Sequence, residues 1–452
     1  MDLLDWSHQP DRKPLVLRGA RQTGKTASIR EFGKRFTLFV ELNLERHEDR
    51  RLVAACRSAD ELVAALQVRA GVARFPARTL LFLDEVQESP EVIGWLRFLH
   101  ESHPELWVAA AGSLMDVRLQ DRGFSFPVGR VTFRYLHPFS FLEFLGATSR
   151  VALAEQIDAS MPRAGEGTGR AKFRTLPPPV HEQALDAFRQ FLLVGGMPEA
   201  VRRWAEEASP VAVRQVHLDL TQALAADLHK YAGARDTAHL EAAFAMLPHH
   251  AGRRFKYERF APGFASLRMK TALGLLEGAM LCHRALPTTN VAPPLAVKPR
   301  AAPKLLPLDV GMTLAALGVP WTDLRTLPLH TLLDGRVAEL IAGQLLRSAD
   351  RRTGAPTWFW VRDSPQANAE LDYLVVGPAG LFPVEVKSGA SGTLKSLHQF
   401  LWRSGTRVGI RLHGGGWSDE QLHVKMGDRP LAYRLLSLPL YLAERVPELA
   451  LP

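Results

Sequence analysis

The chain has 452 residues, enough for two or three domains with cores of their own. Hydrophobic content of 46% and charged content of 23% exclude a disordered or fibrous protein, and two cysteines exclude a disulfide framework or a cysteine-rich metal site. A formal net charge of +9 fits a polyanionic partner, although the cations are spread along the chain. Cysteine usage suits a reducing, cytoplasmic setting. No apolar run approaches the roughly 20 residues that span a bilayer, and Met1 to Pro14 lacks the apolar core of a signal peptide, so no membrane partner is expected.

Leu15 to Arg18 predicts a strand. Gly19-Ala20-Arg21-Gln22-Thr23-Gly24-Lys25-Thr26 then fills the G-x-x-x-x-G-K-[ST] spacing of a phosphate-binding loop. Gly24 lets backbone approach a phosphate without a Cβ in the way. Loop N–H groups and the following helix N-terminus supply positive dipoles, Lys25 adds a full charge, and Thr26 offers a hydroxyl to Mg²⁺. Ala27 to Phe36 predicts that helix, Thr37 to Leu44 a second strand, and Leu52 to Val68 a helix. Arg78 to Glu85 is a continuous apolar run ending in two carboxylates. Asp84 is placed to hold the Mg²⁺ shell and Glu85 to orient the attacking water, with ATP as the nucleotide. Leu106 to Ser113 predicts a strand beside it. Ser113 reads equally as a sensor of the γ-phosphate or as a helix N-cap. Val131 to Tyr135 predicts a fifth strand. The alternation predicts an α/β fold: a mainly parallel sheet covered on both faces, with its ligand at the carboxyl ends of the strands.

These motifs, with Asp84-Glu85-Val86-Gln87, Ala111-Gly112-Ser113, Val128-Gly129-Arg130 and Pro138-Phe139-Ser140-Phe141-Leu142-Glu143-Phe144, resemble a widespread bacterial and archaeal family. Its members are AAA-type P-loop ATPases with a C-terminal domain of uncharacterised function. The resemblance implies a sheet order of 5-1-4-3-2. It also makes Arg130 a candidate arginine finger, which acting in trans would require a homo-oligomer; the alternative is a surface arginine before a strand.

Residues 1–150 form the predicted ATP-binding domain, and residues 151–180, rich in Gly, Pro and Arg, a flexible insertion. Residues 181–320 predict a helical region. Glu182 to Val194 and residues 211–230 have helical spacing; Gly195 to Glu199 and Leu308 to Gly311 also echo the resembled family. His239 to Leu247 and Ser266 to Gly278 are further helices, with Ala279 to Asn290 and Leu295 to Leu308 as a two-stranded wing. This winged-helix-like module carries Arg253, Arg254, Lys256, Arg259, Arg268 and Lys270. It reads as a DNA-binding surface or as a packing domain with solvated arginines.

Residues 321–452 predict a small α/β domain. Leu332 to Leu346 is a helix carrying Glu339 among small neighbours Gly335, Ala342 and Gly343. Trp358 to Arg362, Ala369 to Val376 and Leu381 to Lys387 are strands, and Leu394 to Trp402 a helix. Glu385 and Lys387, at i and i+2 of one strand, share a face. Asp372 on the neighbouring strand is placed to join them, with Glu339 as a further ligand, in a Mg²⁺ site. This constellation resembles the PD-(D/E)xK nucleases and implies their fold more strongly than cleavage. The function expected is an AAA-type ATPase coupled to DNA binding or processing; the alternative is a nucleotide-dependent regulatory switch acting through protein partners.

Overall fold

The computed structural model describes residues 2–113, 129–161, 174–230, 236–327, 329–332, 335–363, 369–377, 380–389, 392–427 and 429–449. Val128, the middle of the expected insertion (162–173) and the turn positions 378–379 lie outside the described residues. The chain divides into two compact units. One comprises Met1–His137, Gly274–Leu281 and Asp350–Gly354; the other comprises Pro138–Leu273, Cys282–Ala349 and Ala355–Pro452.

The first unit is built on five parallel strands, β1 (Leu15–Arg18), β2 (Leu38–Asn43), β3 (Thr79–Asp84), β4 (Trp107–Gly112) and β5 (Thr132–Tyr135). Their order is β2-β3-β4-β1-β5, the order the family resemblance implies. Alternation along each strand sorts the apolar residues into two cores. Val16, Leu81, Leu83, Val108 and Ala110 pack with Leu62, Leu66, Ile93 and Leu96 on one face. Leu15, Leu17, Leu80, Phe82, Ala109 and Ala111 pack with Ile29, Phe32 and Trp6 on the other. Burial on both faces explains why these strands read as unbroken apolar runs.

The expected helix over Leu52 to Val68 is two helices, His47–Ala55 and Ala59–Arg69. Ser58 ends the run by capping the second: its side chain accepts from Glu61 N–H at 3.2 Å, and Glu61 accepts from Arg57 N–H at 2.7 Å.

The second unit contains an eight-stranded mixed sheet, ordered β12-β13-β11-β10-β9-β8-β6-β7. Its strands are β6 (Cys282–Thr288), β7 (Lys304–Pro307), β8 (Thr357–Val361), β9 (Glu370–Gly377), β10 (Gly380–Val386), β11 (Val408–His413), β12 (Ser418–Met426) and β13 (Arg429–Pro439). The expected wing is therefore not a separate hairpin. Its strands do pair antiparallel with each other, but β6 also pairs parallel with β8, so the wing is the edge of the larger sheet. The pairing links residues about 70 apart in sequence. The segment 252–255 then covers the outer edge of β7: Gly252 N–H donates to Leu305 O, Leu305 N–H to Arg253 O and Phe255 N–H to Pro303 O, at 2.9–3.1 Å.

The helix Gly335–Ala349 packs Ala338, Ile341, Ala342 and Leu345 into one core with Tyr373, Val375, Val384 and Val386. The helix Lys395–Ser404 packs Leu397, Phe400 and Leu401 into another with Trp360 and Leu374. Among the described residues, no helix is long and apolar enough to cross a membrane.

Gly343 shows why small residues line the first of these helices. A Cβ there would lie 2.8 Å from Leu306 Cδ2 and would meet the Tyr373 hydroxyl, which donates to Glu339 O at 2.7 Å. Helix propensity favours alanine over glycine by about 1 kcal/mol, whereas overpacking a core costs about 1–3 kcal/mol. Gly343→Ala is expected to lower the thermal midpoint; an unchanged or higher midpoint would refute the close approach.

Candidate functional sites: a phosphate-binding loop and a carboxylate cluster

The phosphate-binding loop leaves β1 between β4 and β5. Its glycines answer to local geometry: a Cβ on Gly19 would stand 2.6 Å from Leu136 O, and Gly24 has φ 92° where it begins the helix Lys25–Gly33. Thr23 Oγ1 donates to Ala20 O at 2.8 Å, folding the loop on itself. Lys25 is buried, and its Nζ donates to Gly19 O at 3.0 Å and Ala20 O at 2.8 Å. Burial lowers its ammonium to about 8, against the opposing pull of the Glu85 and Asp84 carboxylates. Arg21 pairs with Glu45 at 3.1 Å, and Gln22 takes a left-handed backbone, φ 62°.

Thr26 Oγ1 donates to Asp84 Oδ2 at 2.9 Å, bringing the hydroxyl and carboxylate expected to share a metal into contact. Burial pushes the Asp84 carboxyl up to about 6 despite that hydrogen bond. Glu85 stands at φ 53°, and Gln87 Nε2 donates to its Oε2 at 2.6 Å. Asn43, opposite Asp84 in the β2–β3 register, brings its Nδ2 to 3.5 Å of Asp84 Oδ2. Asn43 and Gln87 were not expected in the site; the available signal was a polar residue at, or just beyond, a strand's carboxyl end.

Ser113 follows β4 and is buried, and its Oγ has no hydrogen-bond partner among the described residues. Arg130 is not brought to the loop. Thr132 pairs with Leu15, at the start of β1, whereas the loop leaves its end. Arg130 thus lies at the opposite end of the strands, where Nη1 is 3.5 Å from Glu101 Oε1. A phosphate contact by Arg130 within one chain is excluded by strand direction.

In the second unit, Glu339, Glu370 and Asp372 gather with one carboxylate oxygen each inside 4.8 Å of the others. The expected ligand set was Glu339, Asp372 and Glu385. Glu370 stands in that cluster with Glu339 and Asp372, while Glu385 lies beside the Asp372 charge and pairs through Oε1 with Lys387 Nζ at 2.6 Å. Asp372 instead accepts from Val386 N–H through Oδ2 at 2.7 Å. Glu385 Oε2 is buried without a partner among the described residues, and burial, reinforced by the Asp372 charge, pushes this carboxyl up to about 7.

The centre of the cluster is Lys304, from β7. Its Nζ lies 2.7 Å from Glu339 Oε2, 2.8 Å from Glu370 Oε1 and 3.4 Å from Asp372 Oδ1. Its side chain is only 2% exposed. Burial opposes the charge, but Asp372, Glu339 and Glu370 together hold the ammonium well above its ordinary range. Burial likewise pushes Glu339 up to about 7 in spite of Lys304. Arg254 adds a second cation, with Nη1 at 3.2 Å from Glu370 Oε2. In sequence Lys304 is only a lysine heading an apolar run, and nothing local marks its partners.

Residues 11–145 match the family model described as an AAA domain. The chain carries an AAA-type P-loop ATPase domain. Residues 185–323 and 334–434 match two domains of unknown function, DUF8612 and DUF4143. No curated protein matches the chain. Among solved structures, the chain is similar to the ORC1 protein of Aeropyrum pernix in complex with DNA, at 14% identity over 71% of this chain and 90% of that one, with a TM-score of 0.30. It is also similar to C. elegans PCH-2, at 11% identity over 47% of this chain and 64% of that one, with a TM-score of 0.28. The ORC2 protein of Aeropyrum pernix, in ADPNP–ADP complexes, gives 14% identity over 70% and 90% with a TM-score of 0.23.

The arrangement around Asp84 can orient a carboxylate as well as hold a cation. Gln87→Ala removes a hydrogen bond to a charged group, worth about 1.5–3 kcal/mol. The substitution is expected to lower kcat for ATP on the order of tenfold with KM little changed. A proportionate rise in KM at unchanged kcat would show that Gln87 serves binding and not the position of Glu85.

Proposed function

We propose that the chain is a Mg²⁺-dependent ATPase whose nucleotide cycle governs DNA engagement by the second unit. The observation that carries the first part is the Thr26–Asp84 contact at the mouth of the phosphate-binding loop. Hydroxyl and carboxylate oxygens are the donors Mg²⁺ prefers, and both reach one point, so the residues present fit the ion. Bound there, Mg²⁺ offsets phosphate charge. Lys25 and the loop N–H groups from Gly19 to Thr26 bind the phosphates of ATP; Ala20, Arg21, Gln22 and Thr23 shape the loop. Glu85, held by Gln87, orients water, and Ser113 Oγ is poised for the terminal phosphate. Arg130 serves only in trans, in a homo-oligomer.

DNA engagement is supported by exposed cations between residues 253 and 270. Arg253, Lys256, Arg259, Arg268 and Lys270 are exposed and form no ion pair among the described residues. Residues 252–255 are hydrogen-bonded along the sheet edge that carries Lys304. Such cations neutralise phosphates without reading sequence.

The second reading is a regulatory switch that works through protein partners without cleavage. It is favoured by one observation: the Lys304 ammonium stands among the carboxylates that a metal-dependent nuclease would use.

Lys25→Ala is expected to abolish ATP turnover, and turnover that survives refutes the site. DNA retention is expected to fall steeply with salt, and Lys256→Ala to reduce the slope of log K against log salt by about 1. Absent or salt-insensitive retention would favour the protein-partner reading.

A further inference from the structure

The carboxylates of the second unit do not fit Mg²⁺ as they stand. Mg²⁺ requires near-octahedral oxygen ligands at about 2.0–2.1 Å and brings its own waters. An ammonium has three donors and no acceptor. Lys304 Nζ donates to Glu339 and Asp372 at 2.7 and 3.4 Å and forms an ion pair with Glu370 at 2.8 Å. Two aromatic rings close the space beside it, Phe359 at 5.1 Å and Tyr373 at 5.6 Å from Nζ. The remaining Asp372 oxygen is taken by Val386 N–H, and Glu370 is further held by Arg254.

The partner acid, Glu385, is paired with Lys387. The three clustered carboxylates share Lys304, and Glu385 meets Lys387 through Oε1 while its Oε2 stays without a partner among the described residues.

We infer that Lys304 is a built-in cation that occupies the metal position of the carboxylate cluster, so that the native second unit needs and binds no divalent ion there. Three carboxylates converge on one buried point because the lysine neutralises them. Without it they would repel one another, and burial would make each charge costly. The cluster is then a latent metal site: its oxygens lie within 4.8 Å of one another, close enough for several to reach one ion if the ammonium is removed. The inference does not depend on ATP turnover, and the test separates the two.

The experiment uses the full chain without nucleotide, in an Asp84→Asn background that removes the β3 carboxylate proposed above to hold Mg²⁺. Melting temperature and Mn²⁺ binding, followed by paramagnetic resonance, are measured with Lys304 intact and as Lys304→Met. With Lys304 present, Mn²⁺ is expected to leave the melting temperature unchanged and to remain free. Lys304→Met is expected to melt lower without metal, to bind Mn²⁺ and to regain stability with it. Adding Asp372→Asn should abolish that rescue.

Should Lys304→Met fail to fold, Lys304→Met/Glu370→Gln, which strands one charge fewer, takes its place with the same readout. The inference is overturned if the chain with Lys304 intact binds Mn²⁺ in a way that Asp372→Asn abolishes. It is equally overturned if neither lysine-free variant takes up metal.

Discussion

The nucleotide site depends on one contact that the sheet must deliver. Thr26 follows β1, Asp84 ends β3, and β4 lies between those strands, yet the two side chains meet at 2.9 Å. The intervening strand makes this possible by being small where it matters. Ala109, Ala110, Ala111 and Gly112 place no bulky side chain between the helix that starts at Lys25 and the end of β3. Burial of all six β3 residues then fixes Asp84 at the strand's end, where its carboxyl is desolvated and dependent on neighbouring donors and cations. Asn43, Thr26 and Glu85 N–H surround it because parallel strands of similar length end together.

The second unit solves a related problem in the opposite way. Both units gather acids where the low dielectric makes charge costly, but Asp84 is left with hydrogen bonds from neutral groups, whereas the cluster around Lys304 has an internal cation. Pairing only repays desolvation when geometry satisfies the remaining donors and acceptors. Lys304 moves toward that condition, with hydrogen bonds to Glu339 and Asp372 and an ion pair with Glu370. The tie also joins elements distant in sequence: β7, the helix Gly335–Ala349 and β9 meet at one nitrogen. Gly343 belongs to the same device, because its missing side chain lets Tyr373 reach Glu339 O and fix the helix turn from which Glu339 projects.

What could be read from the sequence was what is local. Strands buried on both faces announce themselves as apolar runs, so β1, β3 and β4 were legible, and so was the loop whose glycine spacing is dictated by backbone approach. The sheet order came from family resemblance, not from any residue pattern. The split helix at Ser58 carried its capping signal, Ser58 followed by Glu61, inside a periodicity that continued across it.

The wing belongs to a larger sheet because β6 pairs with β8 as well as with β7, and that non-local pairing leaves no mark in the local pattern. Glu385 and Lys387 are related by sharing one strand face, whereas no local pattern relates Glu370 to Glu339. The side chain that decides the matter, Lys304, comes from a strand whose pairing was not visible. Arg130 was placed by motif order alone, which says nothing about the end of a strand at which a residue lies.

Charge balance links the cluster to the surface around it. Glu339, Glu370 and Asp372 would present three negative charges to any polyanion approaching the β7 edge. Lys304 and Arg254 offset two of them, and Glu385 is balanced by Lys387. Exposed Arg253 and Lys256 then stand beside a nearly neutral cluster instead of a strongly acidic one, and their field toward phosphate is not cancelled at short range. An external Mg²⁺ would achieve the same balance only while bound, making affinity for DNA depend on metal. An internal ammonium makes the charge balance a fixed property of the fold. A lysine in the place a metal would take therefore balances the cluster without an external ion, and it ties that balance to the packing of β7, the helix Gly335–Ala349 and β9.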